Sequence, residues 1–482
     1  MAEAQIAAGH YEPDGYGDAR KFLVNLYTEP NGGDPARPVR LVDTPGSRLI
    51  DDGTVLSTGV RGLFQADGYA SGKLVVPDGT TVRLYDVAGD AWTSLTGTLT
   101  GTDRVRVAFG ETQAGFLSGG LFYVSASAGT DVAAASDADW ATLLSDHGET
   151  AFTSIATMGQ RALLTYGSRF AFSTTLQFNT TTTLSYYTAE NAPDGIIAGV
   201  VLGDIFYVFG TQTIEPWIQT GDNDNPFSPI VGQVIKRGAL ARDTIVELDN
   251  TLFFIGNDYV VYRLNGLTPQ ALNTPNDTWV TRHLLNTAAS DIVCSRMESE
   301  GHSFYLINTP DKCIVYDVAT STWQIRKTYG SDTWEWLYHV ANDGKFYAAN
   351  EDTTLVELSR SYKSDRMADA STFGTHIVRE FTAHLPVKAG KPPVGQVRVE
   401  GTKGIGLSTG QGSNPLLEMS ISRDQGNTFE AWRSRSLGLI GNYSARTSWE
   451  QNGRAGPEQT VLYFRWSDPV GFLPSRVAIG ER

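Results

Sequence analysis

Few side chains in this chain stand at spacings that support chemistry. Gly406-Leu407-Ser408-Thr409-Gly410 has the G-x-S-x-G spacing of a nucleophile elbow, in which a sharp strand-to-helix turn exposes a serine hydroxyl for attack on a carbonyl. Gln411-Gly412-Ser413-Asn414-Pro415 follows. That composition cannot start the helix the motif needs, so a flexible loop is expected. Gly404 and Gly406 fall short of G-x-G-x-x-G, and no βαβ pattern surrounds them, so no nucleotide site follows. The seven histidines are scattered: none stands at ligand spacing from a second His or a Cys, and H-E-x-x-H is absent. Asp222-Asn223-Asp224-Asn225 opens like a calcium loop, but Pro226 takes the third ligand position and the later Gly and Glu are missing, which leaves a polar turn. Cys294 and Cys313 are too few for a disulfide framework and read as buried free thiols. No catalytic residue, metal site or cofactor emerges.

One further motif is structural in character. Ser422-Arg423-Asp424-Gln425-Gly426-Asn427-Thr428-Phe429 resembles the Asp box, the S-x-D-x-G-x-T-W/F hairpin of sialidase-type propellers. There the Asp accepts backbone N–H bonds and the aromatic packs beneath the turn. Sialidases repeat the motif and add three arginines, a tyrosine nucleophile and carboxylates. This chain has one copy. A carbohydrate-binding or glycan-degrading, sialidase-like propeller is the alternative function that the motif keeps open.

The elements that position these residues read as strands. Of 482 residues, 41% are hydrophobic, 19% charged and 11% aromatic, with 50 glycines. Few charges and many aromatics and glycines suit strands and turns better than helices. The length allows two or three domains. The formal charge of −15 and the lack of a dense Lys/Arg run argue against a protein that grips nucleic acid through phosphates. The first residues lack the charged and apolar regions of a signal peptide. The most apolar stretch, residues 196–209, is split by Gly203-Asp204 and is too short to span a bilayer as a helix, so no membrane insertion is expected.

Apolar hairpins recur from Lys73, Leu121, Arg161, Asp204, Thr251, Ser303 and Lys345, at spacings of roughly 40 to 52 residues, the range of four-stranded propeller blades. Turns such as Pro77-Asp78-Gly79 and Gly256-Asn257-Asp258 separate their strands. Tyr85-Asp86-Val87-Ala88 with Trp92, and Tyr316-Asp317-Val318-Ala319 with Trp323, share Tyr-Asp-Val-Ala-x-x-x-Trp in the same phase of the repeat. The Asp is expected to hold turn amides and the Trp to pack between neighbouring blades. The fold class is therefore all-β: a propeller of six or seven blades over residues 51–360. Residues 1–50 read as an N-terminal arm, 361–376 as a linker and 377–482 as a C-terminal β-sandwich-like domain of six short strands. Ser136 to Gly148 is the best helix candidate.

The segment from Pro193 to Gly221 resembles the packaged-DNA stabilisation proteins, the tail hub or nozzle proteins of short-tailed bacteriophages. The matching residues are Pro193, Asp194, Gly195, Ile196 and Ile197, then Phe209, Gly210, Thr213, Ile214, Glu215, Trp217, Thr220 and Gly221. Looser matches are Asn25 to Tyr27 with Pro45-Gly46, Lys236 to Gly238, and Arg446, Trp449, Arg465 and Asp468 to Val470. The resemblance implies a non-enzymatic virion protein of the phage tail, assembled in the host bacterial cytoplasm. It implies a homohexameric ring below the portal and its adaptor, carrying a tail needle, fibre or spike. Double-stranded DNA would pass through the ring without sequence-specific binding, be retained until ejection, and slide along an acidic lumen.

Overall fold

Each hairpin read from the sequence forms part of one blade. The computed structural model describes residues 2–13, 19–31, 39–189, 194–274, 277–368, 372–385 and 391–480. Pro193, residues 369–371 of the expected linker and residues 386–387 of the first expected C-terminal strand lie outside the described residues. Blade 1 has three strands, Leu74–Asp78, Thr81–Asp86 and Ala91–Ser94, and its inner edge is completed by bridges from Val60 to Asp78 and Phe64 to Val75. Six four-stranded blades follow. They begin at Arg106, Ser154, Ile196, Val246, Val293 and Tyr338.

The count of seven is fixed by packing. Seven apolar clusters each lie between one blade and the next, and the cluster of Leu74, Val76 and Tyr85 with Tyr347, Ala349 and Leu355 joins the last blade to the first. Both faces of every blade are thus buried, and no blade has a core of its own.

The segment expected as an arm is built into the fold. Five short strands, β1 (Ala2–Ile6), β2 (Leu23–Val24), β3 (Leu26–Pro30), β4 (Val39–Asp43) and β5 (Gly46–Asp52), occupy it. β5 is the outer strand of blade 7 and pairs with Thr354–Ser359. The boundary expected at residue 50 therefore falls inside a strand. A closed propeller joins its ends by pairing distant segments, which local patterning does not reveal. The expected linker is likewise bonded down. Tyr362, Ser364 and Met367 accept amide hydrogen bonds from Gly46, Ser47 and Leu49, so the segment runs alongside β5 as a further edge.

The C-terminal domain is a two-sheet sandwich around its own core, which includes Phe381, Val397, Met419, Trp449, Phe464 and Trp466. β1 serves both sheets: Ala2 to Ala4 pair with Val477 to Ile479, and Gln5 and Ile6 pair with His384 and Ala383. β2 lies parallel to Thr322–Arg326 of blade 6 and antiparallel to Arg379–His384, so hydrogen bonding continues from propeller into sandwich. Among the described residues seven strands stand where six were expected. The extra one, Arg433–Ser436, has no apolar alternation to announce it.

Among the described residues the α-helices are α1 (Asp139–Ser145), inside the expected stretch, and α2 (Thr278–Leu285). α2 is rich in β-branched and aromatic residues. It is held by burial of Trp279, Val280 and Leu284 against blades 5 and 6 rather than by propensity.

Between blades 6 and 7, Arg326 is fully buried without a carboxylate in contact. Its guanidinium lies 4.8 Å from the ring centres of Phe304 and Trp334, and Nη1 meets the Met297 sulfur at 3.0 Å. Nε and Nη2 have no hydrogen-bond partner among the described residues. Burial pulls its pKa down to about 10. Removing a buried, unpaired cation is favourable where the replacement fills the space. Arg326→Met is therefore expected to leave stability unchanged or raise it by about 1–2 kcal/mol, read as the urea midpoint. A loss above about 2 kcal/mol would show that the aromatic sandwich outweighs desolvation.

Candidate functional site

The family-like segment forms blade 4, and its residues act on one another. Gly203, at φ +58, and Asp204 turn the chain between Leu202 and Ile205. Ile196–Leu202, Ile205–Gly210 and Ile214–Gln219 pair antiparallel, with a register shift at Ile197, Phe206 opposite Trp217 and Val208 opposite Glu215. Ile196, Gly210, Ile214, Glu215 and Trp217 are buried, while Ile197 is half-buried on the inner strand. Asp194, next to Gly195, accepts hydrogen bonds from the amides of Gln212 (2.7 Å) and Thr213 (3.0 Å) and from the Thr213 hydroxyl (3.2 Å). It reaches them because residue 210 has no side chain: a Cβ there would stand 2.4 Å from the carboxylate. The signature thus describes a capped strand turn. Gly210→Ala should displace Asp194 and cost about 2 kcal/mol, since it leaves turn amides unpaired; an unchanged urea midpoint would contradict this.

The two repeat copies occupy equivalent places. Tyr85 pairs across the strands with Trp92, and Tyr316 with Trp323, at ring separations of 4.9 and 4.8 Å. Asp86 accepts the amides of Ala88 and Gly89, and Asp317 accepts the amide of Ala319. Trp92 packs toward blade 7 and Trp323 toward blade 5 and α2, each against the preceding blade. Asp317 also accepts from His302 at 2.8 Å, and that hydrogen bond holds the imidazole pKa above its usual value despite burial.

The motifs with spacings suited to chemistry are turns. Ser408 lies in an exposed loop. The segment 220–225 bonds to itself, with the Thr220 hydroxyl on the Asn225 carbonyl and the Asp224 amide on Asp222. In the Asp box, Asp424 accepts the Thr428 amide (2.8 Å) and hydroxyl (2.7 Å). Desolvation pushes its pKa up, but hydrogen bonds from Ser422, Thr428 and Asn427 prevail and leave it at about 2. Phe429 packs on Tyr463 and Phe22, and the Arg20 amide donates to the Gln425 carbonyl, so this hairpin fastens the N-terminal segment to the sandwich. Cys313 is buried and its thiol is raised to about 12 by desolvation; Cys294 is half-buried and shifted upward for the same reason. Among the described residues no group of three or more His, Cys, Asp or Glu is placed to hold a metal ion, and no helix is long and apolar enough to cross a membrane.

Sequence reading missed two charged centres whose members lie far apart in the chain. The first crosses the propeller axis, where inner strands of all seven blades line a cavity of about 420 Å³. Arg104 and Arg106 both reach Asp243, and Arg104 also contacts Glu351 at 2.7 Å. Arg242 donates to the Thr153 carbonyl, and its pKa is drawn down to about 10 by burial and then by neighbouring Arg106. The second centre is Asp43, which meets Lys363 at 2.8 Å, Arg360 at 3.5 Å and Arg379 at 3.6 Å where propeller and sandwich join. Asn25 ties the same junction: its side-chain amide donates to the carbonyls of Lys327 and Val378, and its oxygen accepts the Lys327 amide.

Topology and packing together define a β-propeller protein joined to a β-sandwich. The model of the family described as bacteriophage P22 Gp10, beta-propeller, matches residues 4–357, and the chain belongs to that family of phage structural proteins. No curated protein matches at the sequence level. Among solved structures, the extracellular domain of the hybrid two-component system BT4673 from B. thetaiotaomicron is 12% identical at a TM-score of 0.42, over 65% of this chain and 39% of that one. This chain therefore spans well under half the length of that relative. The WD40 propeller domain of Doa1 is 13% identical at a TM-score of 0.40, over 66% and 97% of the two chains. A chain of the Mitotic Checkpoint Complex is 10% identical at 0.40, over 63% and 93%.

Proposed function

We propose that this phage structural protein is a tail nozzle or hub. Several copies, six by resemblance to the family, form a ring below the portal and adaptor that continues the DNA channel, retains packaged DNA and releases it at ejection. The family match supports the reading, and one observation gives it a physical form. The propeller axis of a single chain is crossed by the ion pairs of Arg104 and Arg106 with Asp243 and of Arg104 with Glu351. A duplex cannot thread one propeller, so a conduit has to be enclosed by several chains. The chain's charge of −15 suits a wall along which phosphate slides. The ring is assembled in the host cytoplasm and carries the needle, fibre or spike on its distal side.

The test is electron microscopy of the purified chain mixed with the portal–adaptor complex of its phage. Rings seated on the adaptor are expected, and virions lacking the chain should lose packaged DNA. Chains that never join the adaptor complex would sink the proposal. The glycan-degrading alternative gains no support from the Asp box, whose carboxylate is spent on its own turn.

A further inference from the structure

We propose that the exposed loop 439–445 of the sandwich docks on the outer rim of blades 3 and 4 of a second copy of this chain. The inference rests on the ring reading above and names the surfaces that build it. Charge is strongly segregated along the chain. Residues 107–235, which span blades 2 to 4, contain twelve Asp and Glu but only two basic residues, Arg161 and Arg169. Residues 377–482 contain thirteen Lys and Arg against nine Asp and Glu. A −15 chain therefore carries a net basic C-terminal region and a strongly acidic stretch through blades 2 to 4.

Each region also exposes large apolar side chains. On the sandwich, Leu439, Ile440 and Tyr443 are 52%, 63% and 75% exposed within one loop. Lys403 adjoins Gly404, which lies beneath the Tyr443 ring, and exposed Arg446 follows the loop. On the rim, Leu184 and Val231 are 84% and 91% exposed, Ile218 is partly so, and Asp222 and Asp224 are exposed in the intervening loop. An apolar centre bordered by opposite charges on the two sides is the pattern of a specific interface.

Position completes the case. The sandwich is joined through β2 to blade 6, and β4, which packs with blade 7, also lies against Pro474–Ile479. On a circle of seven, blade 3 lies three blades from both of these, and blade 4 lies two from blade 6 and three from blade 7, toward the opposite side. Two different patches on nearly opposite sides cannot satisfy each other in a two-fold dimer. They join copies head to tail, and such a series closes as a ring when the rotation between neighbours divides a full turn.

Sedimentation velocity on the full chain, with and without the portal–adaptor complex, tests this. Wild type should assemble beyond a dimer, and less so as salt rises. Lys403→Glu with Arg446→Glu, and separately Asp222→Lys with Asp224→Lys, should each weaken assembly at least about tenfold. Ile440→Ser should do the same without altering charge. Mixing the two charge variants should restore assembly, because each then meets its complement; a merely structural role predicts no rescue. Rings that form equally well in every variant would overturn the interface and leave the nozzle reading standing. Chains monomeric under all conditions would overturn both. Variants that lose DNA binding while assembling normally would assign the basic patch to nucleic acid and overturn the proposal.

Discussion

Asp43→Asn should destabilise the chain by about 3–5 kcal/mol, because it strands a buried cation. Asp43 is 1% exposed and Arg379 is fully buried. Two nitrogens of Arg379 donate to the carbonyls of Ile377 and Lys363, which carry no net charge, and Nε has no hydrogen-bond partner among the described residues. With the carboxylate gone, the guanidinium keeps its desolvation and loses the stronger of its two counter-charges, Asp43 ahead of Asp365. Lys363→Met removes a partner of the same Asp43, but that lysine is 22% exposed and two cations remain. Its cost should stay near about 1 kcal/mol. Urea unfolding of the two variants makes the comparison, with limited proteolysis of segment 361–376 as a second readout. Equal midpoints would mean that Asp43 is not the counter-charge of Arg379.

Asp365→Asn should have an effect that depends on pH. Asp365 sits where the segment after blade 7 folds over β5: its backbone pairs with Thr375, and its carboxylate accepts from the Ser47 hydroxyl at 3.0 Å. Burial, then repulsion from Glu335, raises its pKa from 3.8 to about 7, although Ser47, Arg379 and Arg366 act in the opposite sense. The folded chain therefore holds this proton more tightly than the unfolded chain does. Stability from this group is present below pH 3.8 and is lost as pH climbs through about 7. The displacement corresponds to at most about 4 kcal/mol. The amide of the substituted side chain cannot ionise, so the variant should be more stable than wild type at pH 8, by a margin that shrinks through pH 5 and vanishes near pH 3.8. Melting temperatures across that range decide the matter, and a constant difference between the two proteins would exclude the assignment. His302 works in the same direction: its raised pKa gives a contribution lost as pH rises through its folded value, in both proteins alike.

The parts of the fold legible in sequence are those whose partners are neighbours. Pro77-Asp78-Gly79 ends one strand and opens the Gly79-Thr80 turn, and Gly203-Asp204 lies between strands that pair directly, so turn chemistry and alternation locate both to within two residues. Tyr85 and Trp92 are seven residues apart and become cross-strand partners. The missed parts have distant partners. β5 meets residues some three hundred positions later. The Asp43 cluster joins residues from both ends of the propeller and the start of the sandwich, and Arg104 finds Asp243 across the axis. The strand Arg433–Ser436 pairs on one side only and carries alternating Ser and Arg, which reads as loop. The candidate interface was visible as composition, in the absence of Lys and Arg between Arg106 and Arg161, but acquires meaning only when the blades are set in a circle.

The placement of β1 and β5 bears on how the chain emerges from the ribosome. β5 has to wait for residues 354–359, and the first half of β1 for residues 477–479. Bringing ends together across some three hundred residues costs about 5 kcal/mol in chain entropy. During synthesis the earliest segment is thus the last to find its place, and blades 1 to 6 can pack in order behind it. A nascent chain stopped before blade 7 would hold an open arc with an unpaired blade edge. The circle locks once residues 354–359 have emerged, and the sandwich only when residues 477–479 follow.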